Sequence, residues 1–237
     1  MTLKTILPII LTAIFSLGLL FTGQWSKKIS LAVSENKYIS TQFNFQTIVL
    51  LITGISILAT YLLNKQSFAN YFSFGQISAS GNELKWLGIK QGDTWLKTGL
   101  SLCIVITIVT AIFLYFQLKS INPNWKSLQS GIFWILLFSL SNSFGEEMIF
   151  RLGIVSPLSE QLAPTTIFII SAVLFGIPHF TGMPNGIIGV TLAGILGFIL
   201  AKSMYETNGF FWAWVIHFLQ DVLIIGTMFL MNENTSS

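Results

Sequence analysis

Both histidines of the chain, His179 and His217, lie in or beside long apolar runs, and so do Glu146, Glu147, Arg151 and Asp221. Ionisable side chains in such surroundings are costly to keep there and by default mark function or a paired structural site. Glu147 and Arg151 are four residues apart, one helical turn, and can pair. Read without further context, that pair would fix helix packing. It would leave Glu146 as an uncompensated carboxylate in apolar surroundings, the kind of group that suits a general base. His217 and Asp221 are also four apart, so the carboxylate can orient or charge the imidazole. Alternatively the pair is helix glue, and two polar residues on one face in mid-span require polar partners from other helices. His179 follows Pro178, which removes a backbone donor and biases Ile177 away from helical geometry, so the helix should kink or end there. Alone, that histidine would read as a core or interfacial residue. Its company makes it a candidate for chemistry.

The elements that must position these groups are membrane helices. Of 237 residues, 53% are hydrophobic and 9% charged, against roughly a quarter charged for a soluble domain. A span needs ~20 mostly apolar residues. Seven stretches qualify, at about 5–25, 45–63, 98–118, 132–150, 165–180, 186–201 and 209–230. The fold class expected is all-α, a polytopic transmembrane helix bundle of about seven spans, because a lipid-exposed backbone must satisfy its own hydrogen bonds. Glu146, Glu147 and Arg151 close the fourth stretch, His179 the fifth, and His217 with Asp221 lies within the seventh. The first stretch, preceded by Lys4, imitates a signal peptide, but no A-x-A pattern precedes Trp25, and it reads as a retained span.

Trp212 and Trp214 read as an interfacial aromatic belt. The longest polar connection, Asn64 to Lys97, contains a candidate interfacial helix at Leu84 to Lys90. The fifth and sixth stretches are separated by the glycine and proline of Thr181 to Gly186, and a polar tail runs from Asn232 to Ser237. Basic residues, 12 against 9 acidic, lie mainly between the apolar runs and divide too evenly to set orientation. They form no nucleic-acid patch. Cys103 is the only cysteine and reads as a packing residue.

Three motifs in order, E-E-x-x-x-R at Glu146 to Arg151, F-x-x-x-H at Phe175 to His179 and H-x-x-x-D at His217 to Asp221, resemble those of the CPBP family of intramembrane proteases. That family includes the type II CAAX prenyl proteases and the bacteriocin-processing or self-immunity (Abi) proteins. The resemblance covers about residues 130–230. It divides the chain into N-terminal transmembrane helices at 1–130 and a catalytic helical core at 131–237. It implies an endopeptidase acting on a membrane-associated, prenylated or leader peptide. In that mechanism Glu146 activates a water, His179 binds or orients it, and His217 with Asp221 stabilises the oxyanion, with Glu147 and Arg151 in support. The family has been described both as metal-dependent and as glutamate-dependent. A zinc site would draw on Glu146, His179 and His217 plus an open water position, while the metal-free route uses the same groups as acid, base and donors.

The implied partners are a peptide or protein substrate and the lipid bilayer, with no nucleic acid. The implied location is an integral, multi-pass one, the plasma membrane if the source is bacterial. Three features depart from the family pattern. Leu152 intervenes before Gly153, Pro178 precedes His179, and Asp221 stands where some members have asparagine. An ionised aspartate has no proton to give an oxyanion, so Asp221 is expected to orient His217 and leave the imidazole as donor. The signatures H-E-x-x-H, G-x-S-G and G-x-G-D of other intramembrane proteases are absent. The competing readings are a non-enzymatic immunity or regulatory protein of the same fold and a proton-coupled transporter.

Overall fold

The computed structural model of the chain describes residues 2–119, 122–181 and 186–231. The polar tail after residue 231 and the Gly/Pro connection at 182–185 lie outside them. The described residues form helices and connecting turns: α1 (Leu3–Ser26), α2 (Lys37–Leu63), α3 (Lys65–Tyr71), α4 (Trp95–Leu118), α5 (Trp125–Glu147), α6 (Gly153–Leu158), α7 (Pro164–Gly176), α8 (Gly186–Thr207) and α9 (Phe211–Met231). Asparagine caps start α2, α3 and α5, each accepting from backbone N–H groups of the first turn, and Pro164 opens α7 where its missing N–H costs nothing.

Six of these segments are long and apolar enough to cross a membrane: α1, α2, α4, Pro164–Thr181, α8 and α9. The seventh expected span is α5. Serines and Asn142 dilute its apolar character, and they are accommodated locally. Ser139 donates to the Ile135 carbonyl and Ser143 to the Ser139 carbonyl, each at 2.6 Å. The chain is thus a multi-pass integral membrane protein. The outer face of α4, with Ile104, Ile108 and Ile112, is exposed as a lipid-facing surface must be.

The fourth stretch does not end at Arg151. A wide turn of π-helix at Met148–Leu152 joins α5 to α6, and every residue from Glu147 to Leu158 is buried. A helix apolar on all sides belongs in the interior, and α1, α2, α3, α7 and α8 pack around this one. The carboxylates therefore sit within a long central rod instead of at its end. A π turn inside an α-helix is a frequent mark of a functional site. The fifth stretch ends as Pro178 requires: α7 stops at Gly176 and Ile177–Thr181 continues as 3-10 helix.

Two smaller expectations are corrected. Trp212 and Trp214 are not a belt. Trp212 is 3% exposed, with its indole N–H donating to the Ile77 carbonyl at 2.8 Å, and Trp214 packs edge-on against Phe144 and Phe210. Leu84 to Lys90 is not an interfacial helix either. It is one 3-10 turn, Lys85–Leu87, closed by antiparallel pairing of Leu84 with Ile89. That loop is fastened to the end of α8: Glu206 accepts from the Trp95 indole at 2.8 Å and the Asn82 amide at 3.0 Å, and buried Lys202 pairs with Glu206 and donates to the Asn82 carbonyl.

The α4–α9 contact supplies a stability test. A β-carbon at Gly99 would strike the Trp212 ring, which its bond to Ile77 holds in place. Gly99→Ala is expected to cost about 1–3 kcal/mol, read as a lower melting temperature of the detergent-purified protein.

Candidate active site

Glu147 is wholly buried and uses both oxygens. Oε1 faces His217 Nδ1 at 2.6 Å, and Oε2 lies 3.2 Å from Arg151 Nε. The second approach is an ion contact without the alignment of a hydrogen bond. Nη1 and Nη2 of Arg151 have no hydrogen-bond partner among the described residues. Its guanidinium instead lies 3.8 Å from the centre of the Phe175 ring, an arrangement in which the ring quadrupole attracts the cation.

Phe175 is the hub of this side of the site. Its ring centre is 4.6 Å from that of His179 and 5.6 Å from that of His217. Its carbonyl oxygen faces His179 Nδ1 at 2.7 Å. In a neutral imidazole that contact makes Nδ1 the donor and leaves the Nε2 lone pair free to accept. The spacing of four residues in F-x-x-x-H thus has a physical reason: one residue's carbonyl and ring fix both the tautomer and the orientation of the histidine.

Glu146, about a quarter-turn round the central rod from Glu147, lines the cavity with its side chain 18% exposed. Oε1 accepts from the Asn142 amide at 3.1 Å, and the same amide nitrogen donates to Asp221 Oδ2 at 3.1 Å. His217 Nε2 lies 3.6 Å from Glu146 Oε2 and 3.7 Å from Asp221 Oδ1. Both distances exceed a direct hydrogen bond and are those of close ionic contacts. Asp221, expected to orient His217, makes one of the histidine's longer contacts. The close contact is Glu147 on Nδ1, from the central helix, whereas Asp221 stands off the other nitrogen.

These groups border one cavity of about 710 Å³. Asn142, Glu146, His179, His217 and Asp221 line it on the polar side, and Val105, Val109, Leu192, Ile195, Ile224 and Met228 form apolar walls. Such a space, mostly apolar with a few convergent polar groups, is the usual form of a substrate site. Three helical segments expected to converge, those bearing Glu146, His179 and His217, do share it. Glu147 and Arg151 sit behind it, out of contact with the cavity. Sequence reasoning missed Asn142, although it precedes Glu146 by one turn, a spacing that could have flagged it. It also missed Gln46, Thr110 and Gln220, which line the cavity from three helices.

A zinc site is not preformed among the described residues. Among the described residues no three histidine, cysteine, aspartate or glutamate side chains converge to hold a metal ion. Nδ1 of each histidine is engaged, by Glu147 and by the Phe175 carbonyl, which leaves Nε2 as the free ring nitrogen of each. Asn142→Leu removes the amide that donates to both Glu146 and Asp221. The expected outcome is a fall of about 10-fold or more in any activity of the site, measured as kcat on the folded variant.

Residues 128–223 match the model of a known family, Type II CAAX prenyl endopeptidase Rce1-like. The matched segment contains all three motifs and agrees with the resemblance they carry. No curated protein and no solved structure matches the chain.

Proposed function

Taking residues 128–223 as a core of the Rce1-like, CAAX-protease type, we propose that this chain is an intramembrane endopeptidase that hydrolyses a peptide bond with a water activated by Glu146. The observation that supports it most is the facing of Glu146 Oε2 and His217 Nε2 at 3.6 Å on the wall of a largely apolar cavity.

In this reading the water binds between Glu146 and the free Nε2 of His179. Glu146 takes one of its protons as the water oxygen bonds to the carbonyl carbon. His217 acts as the imidazolium: its Nδ1–H donates to Glu147, and its Nε2–H donates to the developing oxyanion, in a site where preorganised donors are most effective. Collapse of the tetrahedral intermediate breaks the C–N bond, and the proton on Glu146 passes to the departing amine. Asn142 keeps Glu146 and Asp221 at fixed positions throughout, and the Arg151–Phe175 contact holds the face on which His179 rests. The catalytic part of the chain is then 131–237, with α2 and α4 completing the walls. Prenylated or leader peptides are the substrates this reading favours, and the plasma membrane of a bacterium is the setting it favours.

The test is a peptidase assay on purified protein with a mixture of candidate peptides, with and without chelator. Cleavage is expected, and it is expected to persist at an undiminished rate in 1,10-phenanthroline, since the steps above use no metal. Loss of cleavage in chelator with recovery on adding zinc would reject the metal-free route. Binding of peptide without cleavage would instead favour a regulatory or immunity protein of the same fold.

A further inference from the structure

The cavity carries polar groups that the hydrolytic steps leave unused. Gln46 of α2 is 5% exposed and Gln220 of α9 is 4% exposed, and both line the cavity. Each carboxamide is held by a hydroxyl in the same sense. Ser141 donates to Gln46 Oε1 at 2.9 Å, and Thr110 donates to Gln220 Oε1. With the oxygens so occupied, what each side chain has left to offer is N–H. Gln220 spends one on the Ile216 carbonyl at 3.5 Å, a long bond, and Gln46 has no acceptor among the described residues.

Each carboxamide still has an N–H to offer to a ligand in the cavity, and in a largely apolar space a donor so placed gains by pairing. Their placement says which acceptor. α2 packs on α5 and α4 packs on α9, so Gln46 and the Thr110–Gln220 pair stand on the two flanks of the α5–α9 pair that carries Glu146 and Asp221. An extended peptide shows its carbonyls alternately to opposite sides, and inside a membrane those carbonyls have no water to bond.

We propose that Gln46 and Gln220 hold the substrate by donating to backbone carbonyls on either side of the scissile bond. The substrate is then a segment bound in extended form, with apolar side chains against Val109, Ile224 and Met228. Thr110 is a positioning residue that aims Gln220. The assignment rests on the endopeptidase reading.

The experiment uses the full chain in detergent with a mixture of internally quenched decapeptides. One cleaved peptide is then compared with its ester analogue, in which the carbonyl one residue before the scissile bond becomes a weaker acceptor. Gln46→Met and Gln220→Met are each expected to raise KM about five- to tenfold, with the effect on KM and not on kcat. The ester should raise KM for the wild type and not for the double variant. A KM within twofold of wild type, or an ester penalty equal in both proteins, would overturn the proposal even with cleavage intact. Should Gln220→Met fail to fold, Gln46→Met and Thr110→Val decide by the same criteria. If the wild type cleaves none of the peptides, the endopeptidase reading fails separately. Fluorescence anisotropy with the same labelled peptides on Glu146→Gln, with and without Gln46→Met, then decides the inference. Affinity lowered by the same factor supports it, while equal affinity or no binding overturns it.

Discussion

Glu146→Ala and His179→Ala are each expected to abolish peptide cleavage while leaving folded protein extractable from membranes. A positioned general base contributes about 10²- to 10⁴-fold, and loss of the group that binds the water should fall in the same range. Neither side chain holds the bundle together. Glu146 accepts one hydrogen bond, from Asn142, and faces the cavity. Its removal also takes away a negative charge beside Asp221. The hydrogen bond of His179 is to its own helix, at the Phe175 carbonyl. Rates by mass spectrometry on monodisperse protein, with helical content by circular dichroism, separate chemistry from folding. Near-normal hydrolysis by Glu146→Ala would reject the mechanism.

Arg151→Ala should act in the opposite manner, removing folded protein first. Arg151 and Glu147 are both 0% exposed, in the most enclosed part of the bundle. Deleting one partner of a buried pair leaves an uncompensated charge and costs about 3–5 kcal/mol, a large part of the ~5–15 kcal/mol that holds a typical protein folded. Glu147→Ala should do both kinds of harm, because Glu147 also fixes His217 Nδ1. Phe175 would lose the cation on its ring as well when Arg151 goes. The expected reading is a sharply lower melting temperature for either single variant and a strong non-additive coupling in the double variant Glu147→Ala, Arg151→Ala. A cycle with no coupling would remove the pair from the account.

How far the residues themselves disclosed this arrangement differs from group to group. The seven helices were legible because each apolar run of span length has one viable backbone state in lipid. Serine-rich α5 was legible only through its central apolar residues, which is why its ends were misplaced. Charge spacing of four revealed Glu147 with Arg151. Spacing could not reveal that Glu147 also reaches His217, since that contact crosses 70 positions of chain and depends on how α5 meets α9. The same limit hid Asn142 as the link between Glu146 and Asp221. The π turn at Met148–Leu152 has no local composition signal, being imposed by packing around the central rod. Tryptophan in a membrane protein suggests an interface by composition alone, and Trp212 contradicts it because Gly99 opens a slot that buries the ring.

The central claim is that Glu146 hands a water to the scissile carbonyl, and hydrolysis in H₂¹⁸O tests it most directly. Wild-type protein should yield fragments whose new C-terminal carboxylate carries one ¹⁸O, and folded Glu146→Gln should yield none at matched protein and time. Labelled product from Glu146→Gln at the wild-type rate, or unlabelled product from the wild type, would contradict it.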